Sequence, residues 1–252
     1  MICKLCQKER VLIKSHIVPE WAYTTLYNKK GHFKPINVNS SLLGKAYQNG
    51  FKEELLCEEC DRDIIGKYDE YAKNLFFSIA NDKYKNINKT RICSDIFILK
   101  GVNYKITKLF LLSLLWRMSV TSLEVFAEYK ISDYEEEIRD IIYKGKEVHS
   151  TYIPIAISKM LIGNEYKNDV LMTFPGFEYI NKIARKRIVI KGIVVDYFID
   201  TDCADEKVNI GCINETGNMI ILEQAINRDV IKTITSVINK TEILNYYGRT
   251  ST

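Results

Sequence analysis

Apolar residues recur at Ile64, Ile65, Tyr68, Ala72, Leu75, Phe76 and Ile79, with charged residues between them. That period is helical and predicts an amphipathic helix over Asp61–Ala80, with Gly66 as a weak point inside it. Lys105–Thr121 has few polar interruptions and reads as a buried helix, with Leu109, Leu112, Leu115, Trp116 and Val120 in the core. Asp133–Lys144 reads as a third helix, charged and amphipathic, and Ser132 with Glu135 has the spacing of a capping box. β-Branched and aromatic residues concentrate in Ile96–Gly101, Tyr152–Ile157, Val170–Phe174, Arg187–Asp196 and Asn218–Leu222, which read as strands. Pro175-Gly176 and Thr216-Gly217-Asn218 supply turns, and a last helix is expected over Ala225–Asn239.

The N-terminal 35 residues read as a knuckle and a short hairpin, followed by a loop-rich stretch to residue 54 with Asn49-Gly50 as a turn signal. Asn81–Lys89 is polar and reads as a boundary. The expected organisation is one unit over 1–80 and a second, mixed helix–strand unit over 90–252.

Four cysteines change this picture most. Cys3 and Cys6 form one CxxC pair, Cys57 and Cys60 another, and Ser15-His16-Ile17-Val18-Pro19 lies between them. Two such pairs supply a tetrahedral set of soft thiolates that suits Zn²⁺ and disfavours Mg²⁺ or Ca²⁺. Four thiolates also suit an iron–sulfur cluster. A closed Cys₄ shell leaves no position for substrate, so such a zinc is structural and any chemistry belongs to neighbouring residues.

The block Cys3-x-x-Cys6, Ser15-His16-Ile17-Val18-Pro19 and Leu55-Leu56-Cys57-Glu58-Glu59-Cys60-Asp61 resembles the zinc-ribbon branch of the HNH (ββα-metal) endonuclease family. The resemblance covers roughly the first 75 residues. It implies an α+β fold class: a small zinc-stapled ββα-metal module followed by a mixed α/β domain. It also implies His16 as general base and Asp61 as a ligand of a catalytic Mg²⁺ or Mn²⁺. The family's central asparagine would be Asn39 or Asn37. Ser15 departs from the pattern, because the family places a carboxylate or imidazole there and a hydroxyl is a poor ligand for a hard cation. Ile64 stands where a basic residue is common. Asp69, eight residues past Asp61, is a candidate for the metal ligand that Ser15 cannot be. The expected activity is metal-dependent hydrolysis of DNA phosphodiesters, in phage defence or mobile-element biology. The alternative is a non-catalytic zinc-ribbon module that binds nucleic acid or protein. His16 also has a structural reading under an apolar hairpin, and Asp61 a competing one as helix N-cap.

Composition sets outer limits. The chain has 252 residues and 46% hydrophobic content, enough for a packed core. Three further cysteines, Cys93, Cys203 and Cys212, leave an odd remainder that argues against a disulfide scaffold. With no signal peptide legible, the expectation is a reducing cytoplasm. The apolar run Leu109–Leu115 is too short to span a bilayer, so no membrane partner is expected. Net charge is +4, which permits nucleic-acid contact. Lys182, Arg185, Lys186, Arg187 and Lys191 form the densest basic cluster and the candidate phosphate contact. DNA is the expected partner, and a gated nuclease would also take a regulatory protein. His32 and His149 carry no spacing signal.

Overall fold

A computed structural model describes residues 1–29, 32–33, 36–37, 47–80, 87–162, 165–166, 171–173, 178–180, 183–199 and 211–225. The N-terminal part carries β1 (Leu12–His16), the short strands β2 (His32–Phe33), β3 (Ile36–Asn37) and β4 (Tyr47–Gln48), then β5 (Lys52–Cys57) and helix α1 (Gly66–Ala80). Two strands, β6 (Asn88–Cys93) and β7 (Ile96–Lys100), precede α2 (Tyr104–Val120) and α3 (Glu135–Lys144). The remaining strands are β8 (Ile155–Ile162), β9 (Glu165–Tyr166), β10 (Leu171–Thr173), β11 (Glu178–Ile180), β12 (Ile183–Ile190), β13 (Ile193–Phe198) and β14 (Asn218–Ala225). The fold class is mixed α/β with a cysteine cluster near the N-terminus, as the sequence predicts.

β1 and β5 pair antiparallel and lead directly into the helix that follows Cys60. The larger sheet runs β3-β10-β12-β13-β8-β14-β7-β6 and is mixed, with β14–β8 and β3–β10 parallel. Helix α2 is its counterpart in the core. Fourteen of its seventeen residues are buried, because it is apolar around most of its circumference. Asn103 caps its start by accepting from the Ile106 N–H at 3.1 Å. Tyr197 of β13 donates to the Leu111 carbonyl at 3.0 Å and ties sheet to helix. One hydrophobic cluster runs from Cys3 through α1 and α2 to Ile221.

Four expectations need correction. The predicted strand Arg187–Asp196 is two strands of a hairpin. Lys191 and Gly192 turn it with φ of 52° and 71°, so a lysine takes the first left-handed position of a two-residue turn. The capping box is not formed: Glu135 accepts from the Ser119 hydroxyl instead, and the N-cap of α3 is Tyr134. Tyr152 precedes the strand it was assigned to, which starts at Ile155 after Pro154. Strand β6 covers part of the stretch read as a boundary. The Pro175-Gly176 turn and all of the last predicted helix except Ala225, the end of β14, lie outside the described residues.

Candidate metal centre and the histidine beside it

The N-terminal knuckle folds on its own backbone. The Cys3 N–H donates to Lys8 O at 3.0 Å and the Gln7 N–H to Cys3 O at 2.9 Å, with Gln7 left-handed at φ 59°. Lys4 N–H then donates to Leu55 O at 3.1 Å, which docks the knuckle on β5. Cys57 ends β5 and Cys60 opens the following helix.

These contacts gather four sulfurs. The Sγ atoms of Cys3, Cys6, Cys57 and Cys60 lie within 4.8 Å of one another, and Cys6 and Cys57 are 4.0 Å apart. A disulfide needs about 2.05 Å. Zn–S bonds of about 2.3 Å set tetrahedral sulfur–sulfur edges of about 3.8 Å, so the spacing fits a four-thiolate metal site. Cys3, Cys57 and Cys60 are buried and Cys6 is partly exposed. The Cys57 N–H points at Cys3 Sγ from 3.3 Å.

Burial alone would raise the Cys3 thiol, but the backbone at Cys6, Cys57 and Leu5 overcomes it and holds Cys3 below the usual thiol range. Burial, then the neighbouring sulfurs, push Cys60 up, and burial first does the same to Cys57. Four thiolates cannot share this volume without a cation between them, so the donor set fits a closed structural metal. It can hold zinc. Among the described residues, no second group of three or more His, Cys, Asp or Glu side chains gathers its ligand atoms so closely.

His16 stands at the end of β1, opposite Lys52 of β5. Its Nε2 is buried and, among the described residues, has no hydrogen-bond partner. Burial, then the Lys52 charge, lowers the imidazole below its ordinary range, while Glu20, Asn49 and Asp61 act against that shift. Asn49 and Gly50 are both left-handed, at φ 59° and 77°. A Cβ on Gly50 would lie 2.7 Å from the Tyr23 ring, so only glycine fits under it.

Asp61 lies in the first turn after Cys60. Residues Cys60–Ile65 form a π-helical turn in which the Gly66 N–H donates to Asp61 O, five residues back. Asp61 is half-buried, and its charge acts on both His16 and Asp69.

Asp69 is placed otherwise than expected. Arg117 Nη2 donates to its Oδ1 at 2.7 Å and Nη1 to its Oδ2 at 3.1 Å. Both Asp69 oxygens thus sit in a guanidinium fork, as the counter-ion of Arg117. Burial lifts its carboxyl above the usual carboxylate range and Arg117 pulls against that. Ser15 is fully buried and donates to Ile13 O at 3.4 Å. Asn39 lies outside the described residues. Asn37 pairs with Thr173 across β3 and β10.

The described residues of the basic cluster are engaged within the fold. Arg187 binds Asp196 through Nε at 2.7 Å and Nη2 at 2.8 Å, and Arg185 joins the same carboxylate at 3.2 Å. Lys186 donates to the Glu128 carbonyl, and Lys191 reaches the hydroxyls of Thr24 and Thr25 at 3.3 and 3.2 Å. All but Arg187 of these are buried residues. Lys182 lies outside the described residues.

Arg117 and Glu20 are the residues that motif reading passes over. Glu20 sits in the turn after Pro19 with no motif of its own. Arg117 had a signal: an arginine inside an apolar helix must have a buried partner. No described helix is long and apolar enough to cross a membrane. Comparison with protein-family models, curated proteins and solved structures finds no match.

Proposed function

We propose that this chain is a metal-dependent HNH-type endonuclease that hydrolyses DNA phosphodiesters, with His16 as general base and Zn²⁺ in the Cys3–Cys6–Cys57–Cys60 cluster. One observation carries the reading. Among the described residues, His16 Nε2 is a buried ring nitrogen without a partner, on a strand that the cluster docks beside a helix whose first turn bears Asp61. A buried polar atom without a partner is expensive, and an acceptor kept free and neutral is what a base requires.

The order strand, antiparallel strand, helix, with one thiol pair before the first strand and the other at the strand–helix joint, also agrees with the ββα resemblance. His16 takes the proton of the attacking water. Asp61 would hold a Mg²⁺ or Mn²⁺, which keeps several waters and needs only one or two carboxylates. Such an ion stabilises charge on the phosphate and the leaving oxygen.

A second reading, a zinc-ribbon module that binds without cleaving, is favoured by the buried Ser15 and by the engagement of both Asp69 oxygens. Plasmid cleavage with Mg²⁺ or Mn²⁺ separates the two. Cleavage by the wild type, lost in a folded, zinc-loaded His16→Ala variant, is expected. Equal nicking by both proteins, or by neither, sinks the nuclease reading.

A further inference from the structure

We propose that Arg117 is a positioning residue, fixing the strand of His16 against the helix of Asp61. The proposal rests on the reading of His16 as the base. Arg117 lies near the end of α2, and its side chain is 1% exposed. It spends its donors on three elements at once. Nε bonds Ser113 O of its own helix at 3.3 Å. Nη1 bonds the His16 carbonyl at 3.1 Å, and Nη1 with Nη2 grips both oxygens of Asp69. Asp69 lies eight residues past Asp61, and Trp21 Nε1 donates to its backbone carbonyl at 3.1 Å.

Stability does not account for this arrangement. A buried ion pair is often replaced by packed apolar side chains at no loss. A planar, five-donor group gives something an apolar residue cannot, a fixed angle between two elements. The thiol cluster fixes β5 and the helix start where Cys57 and Cys60 meet. Arg117 fixes the strand and the same helix two turns further on. Asp61 adjoins the first fastening and His16 carries the second, so the guanidinium plane governs how the imidazole faces the first helical turn. A lysine would keep the charge and lose the fork.

The test uses the full chain, zinc-loaded, as Arg117→Lys and Asp69→Asn. The readouts are the His16 imidazole proton resonance, with His149 as internal reference, and cleavage kinetics with Mn²⁺. The expected result is a displaced or broadened His16 signal with His149 unmoved. kcat should fall about tenfold to a hundredfold while KM stays within about twofold. An unmoved His16 signal in folded Arg117→Lys overturns the proposal, even if kcat falls. Should Arg117→Lys fail to fold, Asp69→Asn leaves the arginine in place, unties its fork and is read the same way. A wild type that cleaves nothing removes the reading of His16 as base, and the resonance still decides whether Arg117 positions it.

Discussion

The strand pairs β1–β5 and β12–β13 both carry basic residues, and they treat them oppositely. In β1–β5, Lys14 faces solvent and Lys52 stands half-buried beside His16, while sulfur holds the hairpin's base. In β12–β13, Arg185 and Arg187 close on Asp196 inside the sheet, and Lys186 and Lys191 run to a carbonyl and to hydroxyls. The first hairpin keeps polar chemistry available and delegates cohesion to thiols. The second spends its charges on cohesion. Density of charge along a sequence therefore says nothing about charge at a surface.

The largest expected effect breaks the first hairpin alone. Cys60→Ser should abolish stoichiometric zinc and cost on the order of several kcal/mol of local stability. Amide hydrogen exchange should then quicken in β1 and β5 while β12 and β13 stay protected. Equal loss in both hairpins would erase the distinction. Next comes the second hairpin. Asp196→Ala takes away the carboxylate that two arginines share and should destabilise the protein by about 3–5 kcal/mol in urea melts, with zinc content unchanged. A loss below about 1 kcal/mol would mean that water already screens the cluster.

A smaller effect sharpens the position of His16. Burial holds its folded pKa below the ordinary value. The unfolded chain therefore takes up the proton first as pH falls. The stability contribution is whole above the unfolded pKa of about 6.5 and is lost as pH drops through the folded value. Urea midpoints from pH 7.5 to 5 should show this component in the wild type and lack it in His16→Gln. Parallel curves would place the imidazole in solvent. The smallest effect is the exposed Glu58–Arg62 pair at 2.5 Å, flanking the thiols. Glu58→Gln should change stability by no more than about 0.5 kcal/mol and leave zinc binding intact, as titration with a chromophoric chelator would show.

Helix α2 was legible because its apolar character is continuous, and the thiol cluster because ligand spacing is a metric fact about backbone reach. The β12–β13 turn was not legible, since Lys191-Gly192 lacks the asparagine that marks such turns and the apolar run reads through it. The capping box failed for a tertiary reason: Ser119, distant in sequence, takes the Glu135 carboxylate. Asp69 meets the same kind of long-range partner: its place in the helix is local information, and Arg117 arrives from α2 to bond both its oxygens. Local pattern gives what a segment can do, and long-range partners choose among the options.

The Arg117–His16 hydrogen bond joins residues 101 positions apart, whereas Cys57 N–H and Cys3 Sγ meet across 54. A ribosome delivers the second thiol pair well before it delivers α2. The nascent hairpin can thus gather its sulfurs early, yet the guanidinium that sets its angle to the helix is translated much later. Translation thus makes all four thiols available before the guanidinium that bonds the His16 carbonyl.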